Sequence, residues 1–255
     1  VPAMLRFFGI PHTGSDETAL CIALDKALTK RLVSSYKIRT PKSILLSSNT
    51  AIAAGSLLYP VIIKPNAEGS SKGISDVSIV KNKNELCELV KRNFNLYKQD
   101  MLAEEYIDGR EFTVGILGNG NEAKVFPPME IIYKKETQEQ YHVYSYNVKQ
   151  NYKEYIDYKC PADITEEQQI EMMKISGKIF NILGCLDFAR VDFRMSREGR
   201  VYFIEINPLP GLAPGYSDYP MLAEFCGVTY TDLINSILEA ALKRLSAVDR
   251  GDIAL

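Results

Sequence analysis

From Asp16 to about Ser35, the residues Ala19, Ile22, Ala23, Ala27 and Leu28 recur at spacings of three and four, which predicts one amphipathic helix. Lys26 and Lys30 ride on it. After Pro41 come a short apolar run, SILL, and then YPVIIKP, a β-branched burst ended by proline. The loop that follows, NAEGSSKGIS, is built of small residues, and DVSIV reads as a strand returning from it. Leu86, Leu89, Val90 and Phe94 predict a helix over Asn84 to Tyr97, and DMLAEEYIDGREFTVGIL predicts two strands about an Asp108-Gly109 turn. AKVFPPMEIIY resumes strand character, whereas Lys134 to Lys159 is polar, tyrosine-rich and without period, which predicts a long loop.

Thr165 with Gln168 forms a capping-box pattern that opens a helix to about Leu183. Two strands, LDFARVDFRM and RVYFIEIN, then flank a turn at Arg197 to Arg200. The loop PLPGLAPGYSDYP leads to helices from Pro220 and from about Thr231 to Leu245. Helices interleaved with hairpins predict an α+β fold with largely antiparallel sheets, not a doubly wound parallel one.

Composition narrows the functional classes. A formal net charge of -2 and a pI of about 5.9 give no general basic surface, so no nucleic-acid partner is expected. No apolar stretch approaches the ~18 residues of a membrane span, and no membrane partner is expected either. Five scattered cysteines without a CxxC pair point to reduced thiols and a cytoplasmic location. The chain starts at Val1, and its opening VPAMLRFFGIPHTGS reads as the continuation of an upstream segment. His12, His142 and Cys160 show no nucleophile-base spacing and read as two loop histidines and a buried thiol.

Three constellations carry candidate chemistry. In IIKPNAEGSSKGIS, Lys64 ends a buried strand and Gly69, Ser70, Ser71 and Gly73 follow, a fixed cation beside backbone and hydroxyl donors that suits a polyphosphate. The lysine precedes the glycines, so this is not the Walker pattern, and a plain glycine-rich hairpin is the alternative. In ARVDFRM and FIEINPLPG, alternation puts Arg190, Asp192 and Arg194 on one strand face and Glu205 and Asn207 on one face of the next. Asp192, Glu205 and Asn207 supply the hard oxygens that a divalent ion such as Mg2+ requires. The alternative is a solvated face with cross-strand ion pairs, Arg190 to Glu205 for example. The third, LAEEYIDGRE, places Glu104 to Ile107 at a strand end where backbone and carboxylates could meet a purine and a ribose, although an acidic hairpin turn is the commoner meaning.

The strings ALDKALTK, YPVIIKPNAEGSSKGIS, LAEEYIDGREFTVGIL, CPADI, ARVDFRM and EINPLPGL together resemble the D-alanine:D-alanine ligase family over nearly the whole chain. The resemblance implies an ATP-grasp fold, with an entry segment and helix at 1–40 belonging with an upstream lobe, a small lobe at 41–108 and a large catalytic lobe at 109–255. It implies ATP-dependent joining of an amino-acid carboxylate to an amine through an acyl-phosphate, with small-molecule amino-acid substrates, and is compatible with a homodimer. By that likeness Lys26 and Lys64 touch ATP phosphates beside Ser70 and Ser71, and Glu104, Glu105, Tyr106, Ile107 and Glu111 surround adenine and ribose. Asp192, Glu205 and Asn207 hold two Mg2+ ions, with Mn2+ as a substitute, while Arg190 and the Gly211 N-H stabilise oxyanions and Ser70 and Lys149 lie over the reacting groups. Gln150 stands where the family's lid carries a tyrosine, and the loop leading to Ser217, the match for the residue contacting the second substrate, is about one residue longer. Those departures predict an altered amine substrate; the alternatives are an ATP-grasp ligase for a different amino acid or peptide, or a non-catalytic nucleotide-binding module, against which the presence of Lys64, Arg190, Asp192, Glu205 and Asn207 argues.

Overall fold

We describe residues 1–47, 56–68, 78–134 and 151–249 of a computed structural model of the chain. A short helix, α1 (Pro2–Phe7), precedes α2 (Glu17–Leu24) and α3 (Lys26–Ser35). The single helix expected over Asp16 to Ser35 is thus two. Asp25 ends the first and caps the second, its carboxylate accepting the Leu28 N-H. Asn66 completes the break by accepting the N-H groups of Lys26 and Ala27 and donating to Asp25. An apolar stripe records only which face is buried, so it runs through such a break unmarked.

Around the small sheet the chain forms β1 (Ser43–Leu46), β2 (Val61–Pro65), β3 (Ile79–Val80), α4 (Lys83–Tyr97) and β4 (Met101–Glu105). The sheet order is β1-β4-β2-β3, all antiparallel. Asn82 caps α4 by accepting the N-H groups of Asn84 and Glu85. Leu86, Leu89 and Val90 of that helix then bury against Val61, Ile63 and Ala103. Of the DVSIV strand, Ile79 and Val80 pair with β2.

Asp108 lies between the sheets. The large sheet comprises β5 (Gly109–Leu117), β6 (Lys124–Val125), β7 (Met129–Tyr133), β8 (Ile156–Lys159), β9 (Phe188–Ser196) and β10 (Val201–Asn207). A single helical turn, α5 (Tyr152–Tyr155), leads into β8. Its order is β10-β9-β5-β7-β8, with β6 pairing on β5. The close of the loop expected over Lys134 to Lys159 is therefore ordered structure: Ile156 and Tyr155 pack on Ile131 and Tyr133, a pairing too short to leave a sequence period. The stretch AKVFPPMEIIY is likewise interrupted, because Pro127 and Pro128 lack the N-H that a ladder needs.

Each face of the large sheet has its own helices. The capping box at Thr165 and Gln168 starts α6 (Glu166–Ile182), which sets Met172, Ile179 and Phe180 against Phe112, Val114, Val191 and Phe193. Val33 of α3 and Ala19 of α2 join that core, so the helices of the entry segment pack with the large sheet. On the other face, α7 (Asp218–Phe225) and α8 (Tyr230–Asp249) bury Tyr219, Leu222, Leu233 and Ile237 against Phe126, Met129 and Phe188. Asp187, fully buried, knots these parts together: it accepts the Gly14 N-H and an Asn119 amide N-H, and receives Arg244 through both oxygens.

Candidate active site

The register of β9 and β10 slips between Phe203 and Glu205. Phe203 opposes Phe193, but Glu205 opposes Asp192 and Asn207 opposes Arg190, leaving Ile204 as the extra residue of a bulge. Facing residues of an antiparallel pair share a side. The slip therefore turns Glu205 and Asn207 away from the core side of Phe203 and onto the side of Arg190 and Asp192. Asn207 Nδ2 lies 3.1 Å from Asp192 Oδ2 and 3.5 Å from Glu205 Oε1. All three side chains converge as the sequence predicts.

A group of buried cations meets this edge. Lys26 Nζ lies 3.8 Å from Glu205 Oε2 and also donates to the Glu68 carbonyl. Glu104 of β4, itself buried, receives Lys64 at 3.0 Å on Oε1 and Lys30 at 2.6 Å on Oε2. Burial pushes the Glu104 carboxyl up, but the two lysines outweigh it and hold it below its ordinary value. Burial drives Lys30 down to about 8 despite its carboxylate partner. Lys26 is lowered by burial too, with Glu205 opposing. Lys30, seen in the sequence only as a helix residue, donates besides to Thr40 and to the carbonyl of Ile204 at 3.0 Å. No short motif marks it, because its partners lie on three different segments.

Arg190 holds the opposite side. Its Nε and Nη2 contact the two oxygens of Asp192, each at 2.9 Å, and its Nη1 reaches Asp218 Oδ2 at 3.0 Å. The cross-strand pair Arg190 to Glu205 is not formed; the register sets Asn207 opposite the arginine. Thr113 of β5 donates to Asp192 Oδ1 at 2.8 Å, and Tyr158 of β8 donates to Asp218 Oδ1 at 2.9 Å. Thr113, Asp218 and Tyr158 were not singled out as site residues in the sequence, since isolated residues on separate strands and a helix start carry no spacing signal. Burial raises the Asp192 carboxyl against the pull of Arg190, while Lys26, Lys64 and Arg190 overcome burial to hold Glu205 low. The loop before α7 folds on itself: Ser217 Oγ accepts the Ala213 N-H at 3.3 Å, and a Cβ on Gly211 would stand 2.6 Å from that oxygen.

At the β4–β5 junction lies a third group. Glu111 Oε2 accepts Tyr133 OH and Arg194 Nη1, both at 2.9 Å. Arg194 also donates to the Ile107 carbonyl and Tyr106 OH, with its guanidinium 4.8 Å from the Tyr106 ring centre. The Glu111 carboxyl is raised by burial. Glu105 accepts the Leu58 N-H, and Glu104 points instead to the lysines. Tyr106 and Ile107 thus stay with Glu111 at the β4–β5 junction.

Asp192, Glu205 and Asn207 fit a hard divalent ion: two carboxylates and an amide oxygen are the donors that Mg2+ takes. The Asn207 amide here offers N-H to both carboxylates, and rotation about its last bond presents the oxygen instead. Ser70, Ser71, Lys149 and Gln150 lie outside the described residues, as does His142. Cys160 is half-buried, 3.8 Å from Cys226, and burial pushes its thiol up to about 12. His12 is half-buried and gives its carbonyl to Arg244. No helix among the described residues is long and apolar enough to cross a membrane.

The family model described as D-ala D-ala ligase C-terminus matches residues 34–239. A D-alanine–D-alanine ligase of Bordetella pertussis is 33% identical over 250 residues, covering 97% of this chain and 75% of the relative. Among solved structures, the D-alanine–D-alanine ligase of Bacillus anthracis complexed with ATP aligns with a TM-score of 0.76 at 25% identity, over 95% of this chain and 74% of its own. The D-alanine–D-alanine ligase of Coxiella burnetii gives a TM-score of 0.77 at 23% identity, over 98% of this chain and 65% of that one. The second shows the likeness of fold.

Proposed function

The chain belongs to the D-alanine–D-alanine ligase family of ATP-dependent carboxylate-amine ligases, and we propose that the cluster of charged side chains described above is where it joins an amino-acid carboxylate to an amine. The observation that carries this reading is the meeting of Lys26 with the group of Asp192, Glu205 and Asn207, with Lys64 held on Glu104. Lys26, placed to contact a triphosphate, stands 3.8 Å from Glu205, an oxygen donor for its metal. In the ATP-grasp arrangement, the entry helices and residues 41–108 supply the phosphate-side lysines and residues 109–255 the acidic edge.

A carboxylate is a poor electrophile. Its oxygen attacks the γ-phosphorus of ATP with loss of ADP, and the amine then attacks the acyl carbon with loss of phosphate. Lys26 and Lys64, held in place by Glu205 and Glu104, position the phosphates. Tyr106, Ile107 and Glu111, with Glu105 beside them, form the place for adenine and ribose, where Tyr133 and Arg194 fix the Glu111 carboxylate. Mg2+, held by Asp192, Glu205 and Asn207, would neutralise phosphate charge. Arg190, fixed by Asp192 and Asp218, and the Gly211 N-H present donors to developing oxyanions. Ser217 borders the amine's pocket, and Ser70, Ser71 and Lys149 belong to the segments that would exclude water. Free thiols and dependence on ATP support a cytoplasmic setting.

The test is release of ADP by the intact protein with Mg2+ across a panel of D- and L-amino acids, with products identified by mass. Amino-acid-dependent release with a ligated product supports the reading. Nucleotide hydrolysis indifferent to every amino acid would refute it.

A further inference from the structure

Two thiols far apart in the chain lie side by side. Cys160 Sγ and Cys226 Sγ are 3.8 Å apart, a non-bonded sulfur contact, and both half-buried side chains pack on the core of Phe126, Met129, Phe188 and Tyr219. Cys160 directly follows β8, and Cys226 ends α7. The backbone holds each in place: the Ala162 N-H donates to the Pro128 carbonyl, and the Cys226 N-H to the carbonyls of Leu222 and Ala223. The other three cysteines belong to other parts of the molecule. Cys21 is on α2, Cys87 packs on the small-sheet core, and Cys185 is buried in the core that α6 covers.

The paired thiols are not equivalent. Cys160 directs its S-H to the Pro127 carbonyl at 3.9 Å, and burial, then the neighbouring Cys226, push it up to about 12. Burial raises Cys226 as well, but there the bond from Cys160 and the charge of Lys124 pull the other way. Cys226 is thus the first of the two to give up a proton.

We propose that Cys160 and Cys226 form a redox modification site, at which Cys226 attacks a low-molecular-weight disulfide and Cys160 resolves the adduct into an internal Cys160–Cys226 disulfide. Cys226, its proton lost to solvent, expels one thiolate from the oxidant and keeps the other half in a new S–S bond. A bonded Cys226 sulfur carries no charge to hold Cys160 protonated. Cys160 then gives its proton to solvent, attacks that sulfur and expels the second thiolate. The protein sulfurs lose an electron pair, and the external disulfide is reduced to two thiols. To make the bond, the sulfurs close from 3.8 Å to about 2 Å by turning the two side chains. The cross-link joins the end of β8 to the end of α7. Those elements already meet through Tyr158 and Asp218, beside Arg190, so their junction gains a second, covalent fastening.

The experiment uses the intact protein, fully reduced and then freed of reductant, with glutathione disulfide as oxidant. Free thiols are alkylated at intervals and the protein is weighed by mass spectrometry, followed by a non-reducing digest. The expected product has lost two hydrogens, retains no glutathione and yields one peptide pair joined through Cys160 and Cys226. Its melting temperature should rise by about 5 °C or more, since the bond closes a long loop in native geometry, and excess dithiol should reverse both changes. Cys160→Ser should accumulate glutathione on residue 226 about tenfold faster than Cys226→Ser does on residue 160. The native product is decisive whether or not either variant folds. Glutathione adducts that persist on native protein without the internal link overturn the proposal, as does a link that engages Cys21, Cys87 or Cys185 instead. A cross-link that lowers the melting temperature would contradict it too, and equal labelling of the two variants would remove Cys226 as the attacking thiol.

Discussion

Asp192 stands directly across the hairpin from Glu205 because Ile204 is out of step with the ladder. In a plainly alternating strand, Glu205 would share the side of Phe203 and point into the core. The two carboxylates reach one another through a backbone irregularity, and Glu205 keeps a partly open side chain while Asp192 is more enclosed. Glu205→Gln preserves shape and removes charge. ADP release at saturating Mg2+ should fall by at least ~100-fold, with the melting temperature little changed. Parental turnover in this variant would remove Glu205 from the metal site.

Glu104 answers two buried ammonium groups at once. Glu104→Gln leaves both without a counter-charge and should destabilise by about 3–5 kcal/mol in denaturant unfolding, since a broken buried pair strands the remaining charge. A loss of less than ~1 kcal/mol would mean that water already reaches the lysines.

Lys30 carries a pH signature. Its folded value of about 8 lies below the ordinary 10.5. Between those values the unfolded chain holds the proton that the folded protein has given up, so this residue's contribution to stability rises with pH across that window. Below pH ~8 both states are charged and the burial penalty is felt in full. Native protein should therefore gain on Lys30→Met as pH rises from ~8 to ~10.5, by an amount on the order of 3 kcal/mol. Paired denaturant titrations across that range check the sign; a difference that shrinks contradicts it.

Gly211 and Ser217 should act as a coupled pair. A methyl group at Gly211 would displace the Ser217 hydroxyl from the Ala213 N-H. Gly211→Ala is expected to raise the KM for amino acids with little change in nucleotide affinity, and Ser217→Ala added to it should restore part of the loss. Strict additivity of the two substitutions would show that the loop absorbs the methyl elsewhere.

Arg244→Ala removes a two-pronged partner from the fully buried Asp187. About 2–4 kcal/mol of stability should go with it, while kcat at low temperature stays near parental. Asp187 and Arg244 lie apart from the Arg190–Asp192 group, so a selective fall in kcat without destabilisation would contradict a structural role.

The sheets, the α4 and α6 helices and the two acidic strands could be read from the sequence because each rests on a local period or cap. The Asp25 break, the strand β8 and the bulge at Ile204 could not. The first two depend on Asn66 and Ile131, distant in sequence, and the third on a slip in the pairing with β9 that no residue pattern marks. The same holds for the site. Asp192, Glu205 and Asn207 announce themselves as polar residues interrupting apolar strands, whereas Lys30, Thr113 and Asp218 acquire their roles only when separate segments meet.

Lys30 bonds to Glu104 in the small sheet and to the carbonyl of the bulged Ile204 in the large one. One ammonium group is thereby fastened to both halves of the molecule, close to where the chain crosses between them at residues 36–42 and 106–108. Any displacement of one sheet against the other at this point has to stretch or break one of those two bonds. Glu205, next in the chain to Ile204, therefore sits one residue from the point at which the two sheets are tied.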